Sequence, residues 1–155
     1  MVKKSFLILT CVLGSIIFVS LLHGEGSKKT ITLPGGDVVW DLNGDWDYLF
    51  EAGDIRVRDI VSITQQGGSF VGVKVIGTPN VPKGAVAIEG ELDKNGVKKA
   101  VVTIRPPGTH GSPGRHATQE LPSTCECEGQ ISEDGNKIIF EGSTITTITV
   151  TLTRK

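Results

Sequence analysis

Aromatic side chains are scarce in this chain: five Phe, two Trp and one Tyr among 155 residues. No block of like charge appears and the net charge is −1, so there is no electrostatic footprint for nucleic acid. The three-and-four apolar spacing of a helix is missing from the long segments, and no internal repeat stands out. There is no Gly-x-Ser-x-Gly, no His-Glu-x-x-His and no phosphate loop, which removes the common signatures of catalysis. What remains is a globular composition, 38% hydrophobic and 21% charged, with room for one domain. Twenty glycines and many Val, Ile and Thr favour strands and tight turns.

The N-terminus differs in kind. A short basic start, Met1 to Lys4, precedes an apolar or small run over 5–22, with Gly24, Gly26 and Ser27 after it. That order matches an export signal over 1–26. The run also reaches about the minimum length of a membrane span, so an uncleaved anchor is the alternative and the sole membrane link. Cys11 follows Thr10 and fits a lipoprotein signal poorly. The expected location is therefore periplasmic or extracellular. Residues 27–37 read as a polar arm, loose except where Ile31 and Leu33 dock, and 38–155 as a single domain.

Eight strands are expected, at about 46–51, 56–65, 69–76, 85–92, 97–104, 123–131, 137–141 and 145–154, from period-two or continuous apolar runs broken by Gly and Asn. Gln66-Gly67-Gly68, Asp93-Lys94-Asn95-Gly96 and Ser132 to Asn136 are tight connections, Asn-Gly being a strong hairpin signal. Most other connections are longer, the longest over 105–121. Alternate turns of an up-and-down sheet fall at opposite ends, so the tight turns share one end. Eight strands close well, and closure removes edges. The fold expected is all-β: an eight-stranded antiparallel up-and-down β-barrel behind an export signal. A two-layer sandwich of the same strands is the rival.

The stretch Leu42 to Phe50 places Trp46, Tyr48 and Phe50 at every second position, after Gly44. In the last strand Ile148, Val150 and Leu152 alternate with threonines, and Arg154 shares the apolar parity. Trp46 and Arg154 are thereby expected to meet beneath the barrel as a cation–π pair, with Gly44 letting the backbone cross the floor. Gly44-Asp45-Trp46 opening the first strand, with Arg154 closing the last, resembles the Gly-x-Trp and C-terminal arginine of lipocalins and the wider calycin group. Gly68-Ser69-Phe70-Val71-Gly72 is similar to the third strand of avidin-type barrels. The strands are short and no helix packs outside, which departs from the lipocalin pattern.

That resemblance implies function at the open end and inside the cup. The expected interior is Trp46, Tyr48, Phe50, Val61, Ile63, Val86, Ile88, Ala100, Val102, Ile104, Ile138, Phe140, Ile148 and Val150. Such a lining suits an apolar ligand and equally a solid core. A ligand mouth is expected from Arg56, Arg58, Lys83, Arg105, His110, Arg115 and His116, whose cations would favour an anionic head group. Their alternative is solvated loop charge balanced by Asp54, Asp59 and Glu120. Cys125 and Cys127 point one way on a strand, as buried thiols or a strained local disulfide. His110 and His116 add zinc or copper ligand types at a spacing that matches no strong pattern, so no metal and no cofactor is assigned. No catalytic residue is expected. The expected function is an exported lipocalin-like protein binding a small apolar or amphipathic, even anionic, ligand. The alternative is a protein-interaction or inhibitor barrel that uses the 105–121 loop or the 27–36 arm as a plug and takes no small molecule.

Overall fold

The computed structural model describes residues 29–104 and 123–155. The expected export signal, Cys11, and the connection holding Arg105, His110, Arg115 and His116 lie outside the described residues. The strands are β1 (Thr30–Thr32), β2 (Val38–Trp40), β3 (Gly44–Ala52), β4 (Ile55–Gln66), β5 (Ser69–Lys74), β6 (Val86–Asp93), β7 (Gly96–Thr103), β8 (Thr124–Ile131), β9 (Lys137–Ser143) and β10 (Thr147–Arg154). Strands β3 to β10 form a closed eight-stranded antiparallel barrel in which each pairs with the next in the chain and β10 returns to β3. The seam runs from Ile148 opposite Ala52 to Arg154 opposite Trp46. Among the described residues there is no helix.

Period-two alternation builds this sheet because successive side chains leave opposite faces. In β10 the residues Ile148, Val150 and Leu152 are fully buried, while the threonines between them stay partly or wholly accessible. Trp46, Tyr48, Phe50, Val61, Ile63, Ile88, Ala100, Val102, Ile138 and Phe140 are buried in the same core, joined by Ala52, Phe70, Ala87 and Leu92. Ile104 is half-buried at the rim. Val86 departs from expectation: it lies outside, 37% exposed. A register shift between Gly72 and Val73 pairs Gly72 with Ile88 but Val73 with Val86. The extra residue, Ala87, turns inward and reverses the parity upstream of it.

Two aromatic rings meet across the interior of the barrel. Strands β5 and β9 sit opposite one another in the closed order. Phe70 of β5 and Phe140 of β9 nevertheless meet, with ring centroids 6.4 Å apart and planes inclined by 38°. That separation lies within the favourable range for aromatic pairs.

The arm before the barrel is not loose. Strands β1 and β2 pair as a hairpin, with Ile31 opposite Val39. Val39 and Leu42 are buried, and Ile31, Leu33 and Trp40 pack against the core. Gly135, in the turn between β8 and β9, has φ +69°, and a Cβ there would fall 2.5 Å from the Trp40 ring. The hairpin therefore covers the end of the barrel where the tight turns after β4, β6 and β8 gather. Five apolar residues on a short segment outweigh its loop-like composition once a hydrophobic end is available to cover.

Candidate functional site

The two ends of the barrel are built differently. At the hairpin-covered end, the guanidinium of Arg154 lies over the Trp46 ring at 4.4 Å from its centroid. Its Nη1 donates to the Asn43 carbonyl at 3.1 Å and its Nη2 to the Asp41 carbonyl at 2.6 Å. The Trp46 indole donates to the Leu42 carbonyl at 2.9 Å. From the other side, Gln65 accepts from the Leu42 amide at 2.7 Å and donates to the carbonyls of Trp40 and Gly67, both at 2.9 Å. Residues 40–43 thus cross the floor with their backbone groups satisfied by side chains, as a buried irregular segment requires. Gly44 follows with φ +121°, a conformation open to glycine.

The open end holds charge inside the barrel. Asp59 and Lys74 face inward from β4 and β5, and their side chains are only 1% and 2% exposed. Lys74 Nζ lies 3.5 Å from Asp59 Oδ2 and 3.4 Å from the centroid of the Tyr48 ring. Asp59 also accepts from the amides of Ile60 at 2.6 Å, Ile76 at 3.3 Å and Gly77 at 3.0 Å, which ties the start of the β5–β6 connection to the wall. Burial lowers the Lys74 ammonium to about pH 8, against the opposing pull of Asp59. Burial, reinforced by the Asp59 charge, raises the Tyr48 phenol above its ordinary value.

A cavity of about 60 Å³ sits above this trio, lined by Tyr48, Phe50, Val57, Lys74, Val81 and Ile104 among others. Its outer lining includes Ile55 and Asn80, both solvent-exposed, so it reaches the surface. No protein-family model, curated protein or solved structure matches this chain. What the site can do rests on its own geometry. A volume of about 60 Å³ takes a few water-sized groups and lies far below the ~300–1,000 Å³ of ordinary ligand pockets.

Of the expected mouth cations, the three among the described residues, Arg56, Arg58 and Lys83, do not line this cavity. Arg56 and Arg58 are exposed and alternate with the inward Val57 and Asp59, so they stand on the outer wall. Arg56 pairs there with Glu51 at 3.2 Å. Lys83 is exposed in the β5–β6 connection and is not part of the cavity lining. Lys74, which carries the inward charge, shares the parity of Phe70 and Gly72 in β5. Asp59 and Gln65 likewise share the parity of Val61 and Ile63. A polar residue in register with a buried apolar set is the signal that marks all three.

Cys125 and Cys127 are buried free thiols on the inner face of β8, so the local disulfide is not formed. Extended residues two apart hold their Cα atoms near the upper limit for a bridge. Cys127 Sγ instead donates to the Cys125 carbonyl at 3.7 Å. Gly142, paired with Cys127, makes room for both: a Cβ there would lie 2.6 and 2.7 Å from the two sulfurs. Burial, with the Cys125 thiol beside it, pushes Cys127 up to about 12. A thiol held protonated, as at Cys127, is a poor nucleophile and a poor metal ligand. Among the described residues no three of His, Cys, Asp and Glu gather as metal ligands.

Proposed function

We infer that this chain is an exported barrel of the lipocalin-like, calycin type that works by binding a protein partner, without catalysis. The observation that carries this reading is the Phe70–Phe140 contact at 6.4 Å across the full diameter. Two rings meeting in the interior leave less room there for a ligand tail. The export signal read at 1–26 puts such a barrel where partners are met outside the cytoplasm. Native mass spectrometry of the protein isolated from its export compartment, with cross-linking before lysis, tests this directly. A protein-sized adduct on a chain free of small molecules supports it. A retained lipid or other small molecule, or a melting-temperature shift across a fatty-acid panel, overturns it.

One observation favours a second reading, a small-molecule binder working at the rim. It is the cavity of about 60 Å³ floored by Lys74. There a ligand would insert only its head group, and the same native mass spectra would show it.

A further inference from the structure

Lys74 is both one half of a buried ion pair and part of a cavity wall. Its side chain is 2% exposed, yet it lines a cavity that reaches the surface. A lysine serving stability alone would extend its ammonium to water along an apolar stem. Here the nitrogen is held inside, between one carboxylate and the face of one ring, at 3.5 and 3.4 Å. Phe50, Val57, Val81 and Ile104 make the remaining wall largely apolar, and Thr78, Asn80 and Thr103 add neutral polar groups. Among the described residues the titratable groups facing the nitrogen are Asp59 and Tyr48. Desolvated lysines of this kind are the ones that condense with carbonyls.

We propose that Lys74 captures the aldehyde end of a small aliphatic molecule as an imine in the open-end cavity. This goes beyond partner binding and does not depend on it. The neutral nitrogen adds to the carbonyl carbon, forming the C–N bond, and its proton passes to the oxygen. The resulting hydroxyl then leaves with a proton from solvent as water, giving a protonated imine. No oxidant or reductant is consumed. The product keeps one positive charge on the nitrogen, so Asp59 and the Tyr48 ring stabilise it as they stabilise the ammonium. A cavity of about 60 Å³ admits a small aldehyde head and excludes a bulky one.

The test is propanal with cyanoborohydride on the intact protein, followed by peptide mapping of the trapped secondary amine. At pH 7 an amine titrating near 8 is neutral roughly 100-fold or more as often as an ordinary lysine. Lys74 should therefore be alkylated at least about 10-fold faster than Lys98 and Lys99, whose side chains are 63% and 60% exposed. Its rate should level off above about pH 8–9, while theirs keeps rising. Ile104→Trp, which fills the rim, should slow Lys74 and leave Lys98 unchanged. Alkylation of Lys74 no faster than of Lys98, or a rate indifferent to Ile104→Trp, overturns the proposal.

Discussion

Among the described residues the floor and the open end of this barrel each hold one inward cation, and they surround it differently. Two backbone carbonyls and an indole face surround the Arg154 guanidinium, whose pKa burial lowers against the opposing pull of Asp41. A guanidinium has donors enough to serve several carbonyls at once, and here it locks a crossing segment in place. Lys74 has one carboxylate, one ring and very little water, and its proton is correspondingly loose. The floor spends its cation on closure. The open end leaves its cation chemically available beside a cavity.

That contrast can be broken most sharply at Asp59. Asp59→Ala leaves the Lys74 ammonium buried without a partner and three amides without their acceptor. It should cost about 3–5 kcal/mol in urea unfolding. Adding Lys74→Met should recover more than half of that loss. A cost under about 1 kcal/mol would mean that the pair is solvated and the two ends are alike.

Arg154→Lys keeps the floor's charge but loses the planar fork. A loss of about 1–2 kcal/mol in the same assay is expected. No loss would show that charge alone closes the floor.

The third measurement is stability against pH. Lys74 is lowered in the folded protein, so the unfolded chain holds its proton longer and stability rises above about pH 8. Cys127 is raised and works the other way above its unfolded value near 9, as does Tyr48 above 10. Stability should climb by about 1 kcal/mol between pH 8 and 9 and then turn over. Cys127→Ser should extend the climb toward pH 10, and a flat profile from 7 to 9 would contradict the open-end assignment.

The smallest effect belongs to the outer wall. Arg56→Ala, which breaks an exposed pair with Glu51, should stay within about 0.5 kcal/mol. A larger loss would give the outer cations a role that their exposure does not suggest.

Much of the fold was legible because alternation survives in the strands that decide it. Threonines interleaved with Ile148, Val150 and Leu152 mark the last strand, and Asn95-Gly96 marks a hairpin between β6 and β7. Val86 was not legible: a single inserted residue at a bulge reverses parity, and nothing local announces it. The β1–β2 hairpin was hidden by strands of three residues each, too short for any period. At the site, Asp59, Gln65 and Lys74 sat in register with buried neighbours, but polar residues read by default as outward. Arg56 and Arg58 were drawn to the mouth by charge, although parity with Val57 already placed them outside.

The sequence by itself determined that eight strands alternate, where they turn, and that Trp46 and Arg154 share the inward face. Those are properties of neighbours along the chain, fixed by the two-residue period of an extended backbone. Only the tertiary structure decided that Phe70 and Phe140 meet in the interior, that the arm covers the floor, and that a lysine lies inside the wall. Each of these depends on residues far apart in sequence competing for one enclosed volume, and no local pattern encodes how that volume is shared.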